Sequence, residues 1–223
     1  MFGNRQYYTL VAGLREYAAG AAGEKGFSAD AVYGEVRREL SRANRRAAGL
    51  LWSLMNIYGL GRERIEELYS LCDASPCDWL RDWAVFDRNL RNVIAAHTAR
   101  TKGRAVADSL LTIEGDKVAV ALDKSSAADF NLRGELDYMD RLLTALSDAA
   151  NIMEKERAID NIRWEKADSL AEGDTFGASA ILAYLVKVAI IGRWVALDPQ
   201  TGREMYERLV RSMSDEKVES KKI

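Results

Sequence analysis

The chain has 223 residues, of which 48% are hydrophobic and 30% charged, a composition that suits a globular protein with a sizeable core. Its 32 basic and 34 acidic side chains give a net charge of −2, which argues against a nucleic-acid binder, because such a protein usually carries a basic excess. The same balance argues against a polybasic membrane anchor. We therefore expect neither nucleic acid nor direct membrane insertion.

The first third of the chain is predicted to be helical, because only two prolines interrupt the whole sequence. Residues 7–14 fit either a short strand or the start of a helix, and residues 18–26 are small and glycine-rich, which indicates a loop. Ser28 is typical of an N-cap. The helix that it begins should run to about Tyr58, with a break near residues 40–43.

A long central helix is predicted after a short one around residues 65–71. Ser75 followed by Pro76 resembles a helix start, with serine as the N-cap and proline at the first helical position. The apolar periodicity then continues to about Thr101, and Gly103 should end the helix. A further short helix is expected at residues 105–111.

The second half is predicted to be helical once the chain passes its least helical segment, residues 113–129. Within that segment, residues 117–122 could form a brief strand, although an extended loop is the stronger interpretation. Residues 130–169 carry helical periodicity that is long for one globular helix, so we expect a bend or a hairpin arm.

An almost wholly apolar helix is predicted at residues 176–197, where Lys187 and Arg193 are the only charged residues, and such a helix is usually buried centrally. Its longest apolar run is too short to cross a bilayer, which needs about 20 residues. Asp198 and Pro199 should start a last helix, and residues 214–223 are expected to fray.

Sequence motifs for catalysis, cofactors or metals are not found. Neither a phosphate-binding P-loop nor a dinucleotide fingerprint is present, and His97 is the only histidine, which excludes sites that need two. We interpret His97 as a polar-face residue late in a helix, where the helix dipole favours the cation. Cys72 and Cys77 are interpreted as structural thiols in a reducing compartment. The sequence thus predicts a non-enzyme without a cofactor, a metal or a small-molecule substrate.

Two predicted helices contain short segments of similar sequence, which we call the echoed segments. Asp87-Arg88-Asn89-Leu90-Arg91 and Asp160-Asn161-Ile162-Arg163 share an Asp, an Asn, an aliphatic residue and an Arg in the same order. Asp–Arg pairs at this spacing can simply stabilise one helix by a few tenths of a kcal/mol. The alternative is a duplicated helical module, and both interpretations stay open.

Several segments resemble a bacterial family of unknown function whose genes lie among those of V-type ATPases. The N-terminal match is Tyr7-Tyr8-Thr9-Leu10-Val11-Ala12-Gly13-Leu14. The stronger C-terminal match comprises Ile159-Asp160-Asn161-Ile162-Arg163-Trp164-Glu165, Thr175-Phe176, Ile181-Leu182-Ala183-Tyr184-Leu185-Val186-Lys187, Gly192-Arg193-Trp194-Val195-Ala196-Leu197-Asp198 and Gly202-Arg203-Glu204-Met205.

That family is in turn similar to the funnel-shaped C-type subunit of A/V-type ATPases, which is known as the d-type subunit in eukaryotes. The resemblance implies an all-α long-helix bundle like that funnel, with a short strand or irregular loop near residues 113–125. It implies one helical domain over residues 1–223, or two modules at about 1–112 and 130–213 joined by 113–129. The chain is shorter than a full C-type subunit.

The resemblance also implies a function: coupling the central stalk to the membrane rotor ring, in the cytoplasm and peripheral to the inner membrane. The partners would be the central-stalk and rotor-ring subunits, and the candidate contact residues are Arg88, Arg91, Arg163 and Trp164. For each of these, pairing or packing within the chain is the alternative. The alternative function is a helical scaffold or regulatory protein that binds a single soluble partner.

Overall fold

The computed structural model describes residues 6–17, 27–112, 115–147 and 152–197, and in these ranges it contains helices and turns but no strand. The prediction of an all-α fold is therefore confirmed. The helices are α1 Tyr8–Gly13, α2 Ala29–Glu39, α3 Arg42–Met55, α4 Arg62–Asp73, α5 Asp78–Thr101, α6 Lys117–Lys124, α7 Met139–Ser147, α8 Ile152–Ala171 and α9 Ala178–Ala196, with a 3₁₀ turn at Ala107–Ser109.

Serine side chains cap α2 and α3, and the cap of α2 is the predicted one. Ser28 caps α2 by accepting a hydrogen bond from the Ala31 N–H at 3.2 Å. The predicted break is confirmed, because α2 ends at Glu39 and Ser41 then caps α3 through the Asn44 N–H at 3.3 Å. The segment at residues 7–14, for which strand and helix were both open, forms α1.

The long central helix ends where predicted but begins differently. Its N-cap is Cys77, which makes no side-chain capping bond, so the prediction of Ser75 as the cap is wrong. Ser75 instead accepts from the Cys77 N–H at 3.2 Å and stabilises the turn that precedes the helix. At the other end, α5 stops at Thr101, Lys102 is the C-cap, and Gly103 has a φ of +62°, a conformation that glycine adopts without strain.

Residues 117–122 are helical, so the expectation of a strand or extended loop there is wrong. Asp116 caps α6 by accepting from the Ala119 N–H at 3.1 Å, and Ala119 and Leu122 are buried on the inner face. The Asp116 carboxylate also accepts from Arg88 Nε at 3.3 Å, which fixes the start of α6 against α5. A cap and a tertiary ion pair thus override the β-propensity of the valines.

Residues 130–138 form successive turns, although helical periodicity was expected from residue 130. Phe130 and Asn131 have φ of 55° and 59°, which is incompatible with a right-handed helix. The Arg100 guanidinium holds this segment: it donates to the carbonyls of Ser125 and Ala127 and lies 3.8 Å from the Phe130 ring centroid. The regular helix begins at α7.

Similarly, residues 105–111 contain only the 3₁₀ turn and not the predicted α-helix. Arg62 donates to the carbonyls of Asp108 and Leu110. Asn92 on α5 donates to the Leu111 carbonyl and accepts from the Leu111 N–H, both at 2.8 Å. These side chains satisfy backbone groups that a helix would otherwise pair internally.

The apolar helix α9 lies centrally, against α8, α3, α2 and α5. By length and composition it could cross a membrane, although 44% of its most apolar window is buried inside the protein. Core helices of globular proteins pass the same test, and the buried residues of α9, among them Ile181, Leu185 and Ile191, belong to the hydrophobic core.

The two predicted modules pack against one another, since α5 contacts α8 while α2 and α3 contact α9. The division into modules stays a prediction. The predicted loop at residues 18–26, the last helix from Pro199 and the frayed tail lie outside the described residues.

Candidate protein-contact site

The two echoed segments meet in the interior of the protein. Arg163 on α8 donates from Nε to Asp87 Oδ1 on α5 at 3.1 Å, and from Nη1 to Asp160 Oδ1 on its own helix at 3.3 Å. The local pair predicted from the spacing is therefore present at Asp160–Arg163. Arg163 additionally joins the Asp of one echo to the Asp of the other, which spacing within a single helix could not indicate.

Asp87 is the most buried charge of this cluster, with 0% of its surface exposed. Besides Arg163, it accepts hydrogen bonds at 2.8 Å from Tyr69 Oη and from Arg91 Nε. Burial alone would raise the pKa of Asp87, but the charges of Arg91 and Arg163 outweigh it and lower the pKa to about 2. Asp87 is therefore ionised, and three donors replace its lost hydration.

Asp160 is a second buried carboxylate that accepts hydrogen bonds from several side chains. Its Oδ2 accepts from Trp194 Nε1 at 2.8 Å and from Arg193 Nη2, both on α9. Arg193 Nη1 in turn donates to Tyr58 Oη at 2.7 Å and lies 3.4 Å from a Glu156 oxygen. Burial would lower the pKa of Arg193, but the neighbouring Asp160 carboxylate raises it, so the guanidinium keeps its charge.

We call this set the α5–α8–α9 network; its members are Tyr58, Tyr69, Asp87, Arg91, Glu156, Asp160, Arg163, Arg193 and Trp194. A buried ion pair adds little net stability compared with apolar packing, but removing one partner leaves an unpaired buried charge and costs about 3–5 kcal/mol. Such a network therefore fixes the relative placement of the helices that carry it.

The four predicted contact residues differ in accessibility. Arg88 is buried and binds Asp73 and Asp116, with Nη1 3.0 Å from Asp73 Oδ2 and Nε 3.3 Å from Asp116 Oδ2. Trp164 is also buried, with Lys187 Nζ 5.0 Å from its ring centroid, and Arg163 lies inside the network. Only the Arg91 side chain is appreciably exposed, at 20%. A contact with another protein stays a prediction for all four.

Sequence reasoning did not select Arg193, Tyr69 or Tyr58 as site residues. The sequence does contain an indication for Arg193. A charge in an otherwise apolar, central helix requires a partner, because an unpaired buried charge is very costly. The sequence contains no such indication for Tyr69 and Tyr58, since nothing in their local patterns distinguishes them from core or surface aromatic residues.

A cavity of about 410 Å³ opens beside the network, between the N-terminal part of α2 and the C-terminal parts of α3 and α9. Arg91, Arg163, Arg193 and Asp160 form its polar side. Its other walls are mainly apolar and aromatic, and Tyr58, with 66% of its surface exposed, is part of the lining. The remaining lining residues are Phe27, Ala29, Asp30, Trp52, Met55, Asn56, Ala189, Ile190, Gly192, Val195 and Ala196.

The other candidate chemistry lies away from this cavity. Burial and the nearby charges of Lys155 and Arg100 lower the pKa of His97, so these surroundings act against the cation that the helix dipole was expected to favour. Cys72 and Cys77 are free and buried, and burial raises the pKa of Cys72 to about 12 and also raises that of Cys77. In the described ranges no three His, Cys, Asp or Glu side chains cluster as metal ligands.

Comparison with known proteins places the chain in a family. A family model for proteins of unknown function (DUF2764) matches residues 63–217, a region that includes both echoed segments. No curated protein and no solved structure matches the chain. Because the matched region covers more than half of the sequence, the chain belongs to the DUF2764 family of proteins of unknown function.

Proposed function

We propose that the protein is a non-catalytic component of a bacterial V/A-type ATPase, similar to the C-type subunit, and that it couples the central stalk to the membrane rotor ring during rotation. It would lie in the cytoplasm, peripheral to the inner membrane through the complex. The resemblance of segments at both ends of the chain to proteins encoded with V-type ATPase genes supports this proposal.

The observation that carries the proposal is the link between the two echoed segments through Arg163. A torque-transmitting protein must resist deformation between its two contact surfaces. Helices α5, α8 and α9 are joined by hydrogen-bonded side chains of opposite charge, so relative sliding would leave buried charges without their partners at a cost of several kcal/mol. This is the mechanical property that a coupling element needs.

A pull-down from membranes of the native host tests the proposal. The tagged, full-length chain is recovered in mild detergent, and co-purifying proteins are quantified by mass spectrometry. We expect central-stalk and rotor-ring subunits in stoichiometric amounts. Recovery of one soluble partner without ATPase subunits would contradict the proposal.

Matched variants locate the contact. Tyr58 lines the cavity and has 66% of its surface exposed, whereas Tyr8 is similarly exposed, at 60%, on α1. If partners bind at the cavity beside the α5–α8–α9 network, Tyr58→Ser should lower the recovery of ATPase subunits several-fold, and Tyr8→Ser should not. Equal recovery from both variants would place the contact elsewhere.

A helical scaffold that binds a single soluble partner is the second candidate. The mainly apolar walls of the cavity favour it, because a cavity of this size can receive one side chain of a partner. The same pull-down distinguishes the two candidates, since a scaffold would return one soluble protein and no rotor-ring component.

A further inference from the structure

The polar side of the cavity beside the α5–α8–α9 network carries more hydrogen-bond donors than acceptors. Both oxygens of Asp160 are already used, since together they accept from Arg163, Arg193 and Trp194. Arg91 uses only Nε, toward Asp87, and its Nη atoms donate to none of the residues that the structure describes. An arginine has five N–H donors and no acceptor, so these groups are available to an acceptor that enters the cavity.

The rest of the lining is mainly apolar, and the volume of about 410 Å³ lies in the range of small-molecule sites, which is about 300–1,000 Å³. Phe27, Met55, Ile190 and Val195 contribute apolar surface. Asp30, the other acid in the lining, accepts from Trp52 Nε1 at 3.2 Å, which holds that indole in the wall.

We propose that this cavity binds a carboxylate attached to a small apolar group. The carboxylate would accept from the Nη groups of Arg91, and the apolar part would lie against α9 and the end of α3. A guanidinium presents two parallel N–H donors that match the two oxygens of a carboxylate, and such charge-assisted bonds are about twice as strong as neutral ones. This inference does not depend on the function proposed above.

The probe is phenylpropionate, and phenylpropionamide is its neutral counterpart of nearly the same shape. Titration into the full-length chain is followed by nuclear magnetic resonance at the Trp52 indole N–H, which is assigned with a Trp52→Phe variant, and by calorimetry. We expect saturable binding of the acid, weaker by at least about tenfold for the amide. Equal affinity for acid and amide would overturn the proposal, as would no change of the Trp52 signal at millimolar acid.

Two variants test whether the ligand binds in the cavity, as distinct from a loss of binding caused by altered folding. Arg91→Lys keeps a cation beside Asp87 but removes the forked donors, so it should weaken acid binding at least about tenfold and leave amide binding unchanged. Ala189→Phe places a ring in the cavity without removing any side chain of the network and should abolish binding of both. Arg141→Lys is the control, because Arg141 pairs with Glu165 on the exposed surface. Unaltered acid binding by both cavity variants would overturn the proposal.

The carboxylate could belong to a free acid or to the C-terminus of another chain, and a last arm distinguishes these sources. A tripeptide Gly-Gly-Phe with a free C-terminus is compared with its amidated form and with phenylpropionate. Tighter binding of the free peptide than of phenylpropionate assigns the site to a chain terminus, and weaker binding assigns it to a free acid. Equal binding of the free and amidated peptides, together with equal binding of phenylpropionate and its amide, would overturn the proposal.

Discussion

Arg163 binds Asp87 across 76 positions of sequence, with 3.1 Å between Nε and Oδ1. This ion pair connects the middle of α5 to α8, and Asp87 has no exposed surface. Because the Asp87 carboxylate has no access to solvent, its charge must be balanced by donors inside the protein, and Arg163 supplies one of them.

Replacing Asp87 with Asn should therefore be strongly destabilising. The substitution leaves Arg91 and Arg163 facing a neutral amide in a buried position, and we expect the free energy of unfolding to fall by about 3–5 kcal/mol. Urea denaturation followed by circular dichroism measures it. Asp82→Asn, at an exposed position of the same helix, is the control and should change stability by less than about 0.5 kcal/mol. Equal effects of the two substitutions would show that the ion pairs contribute little.

The free energy of unfolding should depend on pH in the way that the lowered pKa of Asp87 predicts. Its pKa is about 2 in the folded protein against 3.8 for an ordinary aspartate, so the unfolded chain binds the proton first as the pH falls. The stabilisation is therefore complete above about pH 4 and is lost toward pH 2, amounting to about 2 kcal/mol. The stability difference between the wild type and Asp87→Asn should shrink over this interval. A constant difference between pH 5 and pH 2 would contradict the assignment.

The two cysteines should be unreactive until the protein unfolds. Both thiols are buried, and a pKa of about 12 for Cys72 leaves almost no thiolate at neutral pH. A chromogenic disulfide reagent at pH 8 should label neither thiol in the native protein and both in denaturant. Ser53→Cys, exposed on α3, is the positive control and should react at once. Rapid labelling of native Cys72 would indicate local opening of α4.

Gly192 permits the close approach of α2 to α9. A Cβ atom at this position would lie 2.5 Å from the Ala29 Cβ, and Ala29 has no flexible side chain that could move away. Gly192→Ala should lower the free energy of unfolding by about 1 kcal/mol or more, because overpacking outweighs the better helix propensity of alanine.

Gly34→Ala is the matched test on α2, where an added Cβ would meet nothing within 4 Å. It should raise stability by up to about 1 kcal/mol, measured by the same denaturation. Stabilisation by both substitutions would mean that α2 can move away from α9 without loss.

The Asn92 side chain takes the place of a backbone partner for Leu111. It donates to the Leu111 carbonyl and accepts from the Leu111 N–H, both at 2.8 Å. Asn92→Ala leaves the Leu111 N–H and carbonyl unpaired, and we expect a loss of about 2 kcal/mol or more. Asn161, in the echoed segment of α8, is exposed, and Asn161→Ala should be nearly neutral. Hydrogen exchange at the Leu111 amide gives a local measure and should accelerate only in the first variant.

Features that are determined by residues close in sequence could be predicted. Examples are the capping of α2 by Ser28 and the end of α5 before Gly103. The turns at residues 130–138 could not, because the donors that hold the preceding carbonyls come from Arg100, 27 positions before Ala127. Helix α6 was missed because its cap, Asp116, is followed by a valine-containing segment that also suits a strand.

The candidate site was predicted only in part. The echo identified Asp87, Arg91, Asp160 and Arg163 as related, but each was compared with partners on its own helix. Arg193 reaches Asp160 from 33 positions away, and the contact exists only because α8 and α9 pack side by side. Long-range pairing of this kind is set by tertiary packing and leaves no local periodicity.

The order in which the protein is synthesised gives the Arg163–Asp87 pair a further consequence. Asp87 leaves the ribosome well before Arg163, so the first helices emerge with only Tyr69 and Arg91 to pair with its carboxylate. Because domains generally complete folding as units, the N-terminal helices cannot reach their final packing until α8 has been made. A chain whose translation stops after α7 therefore lacks both Arg163 and the helices that pack over Asp87, and such a truncated product should be a preferred target for cellular proteases.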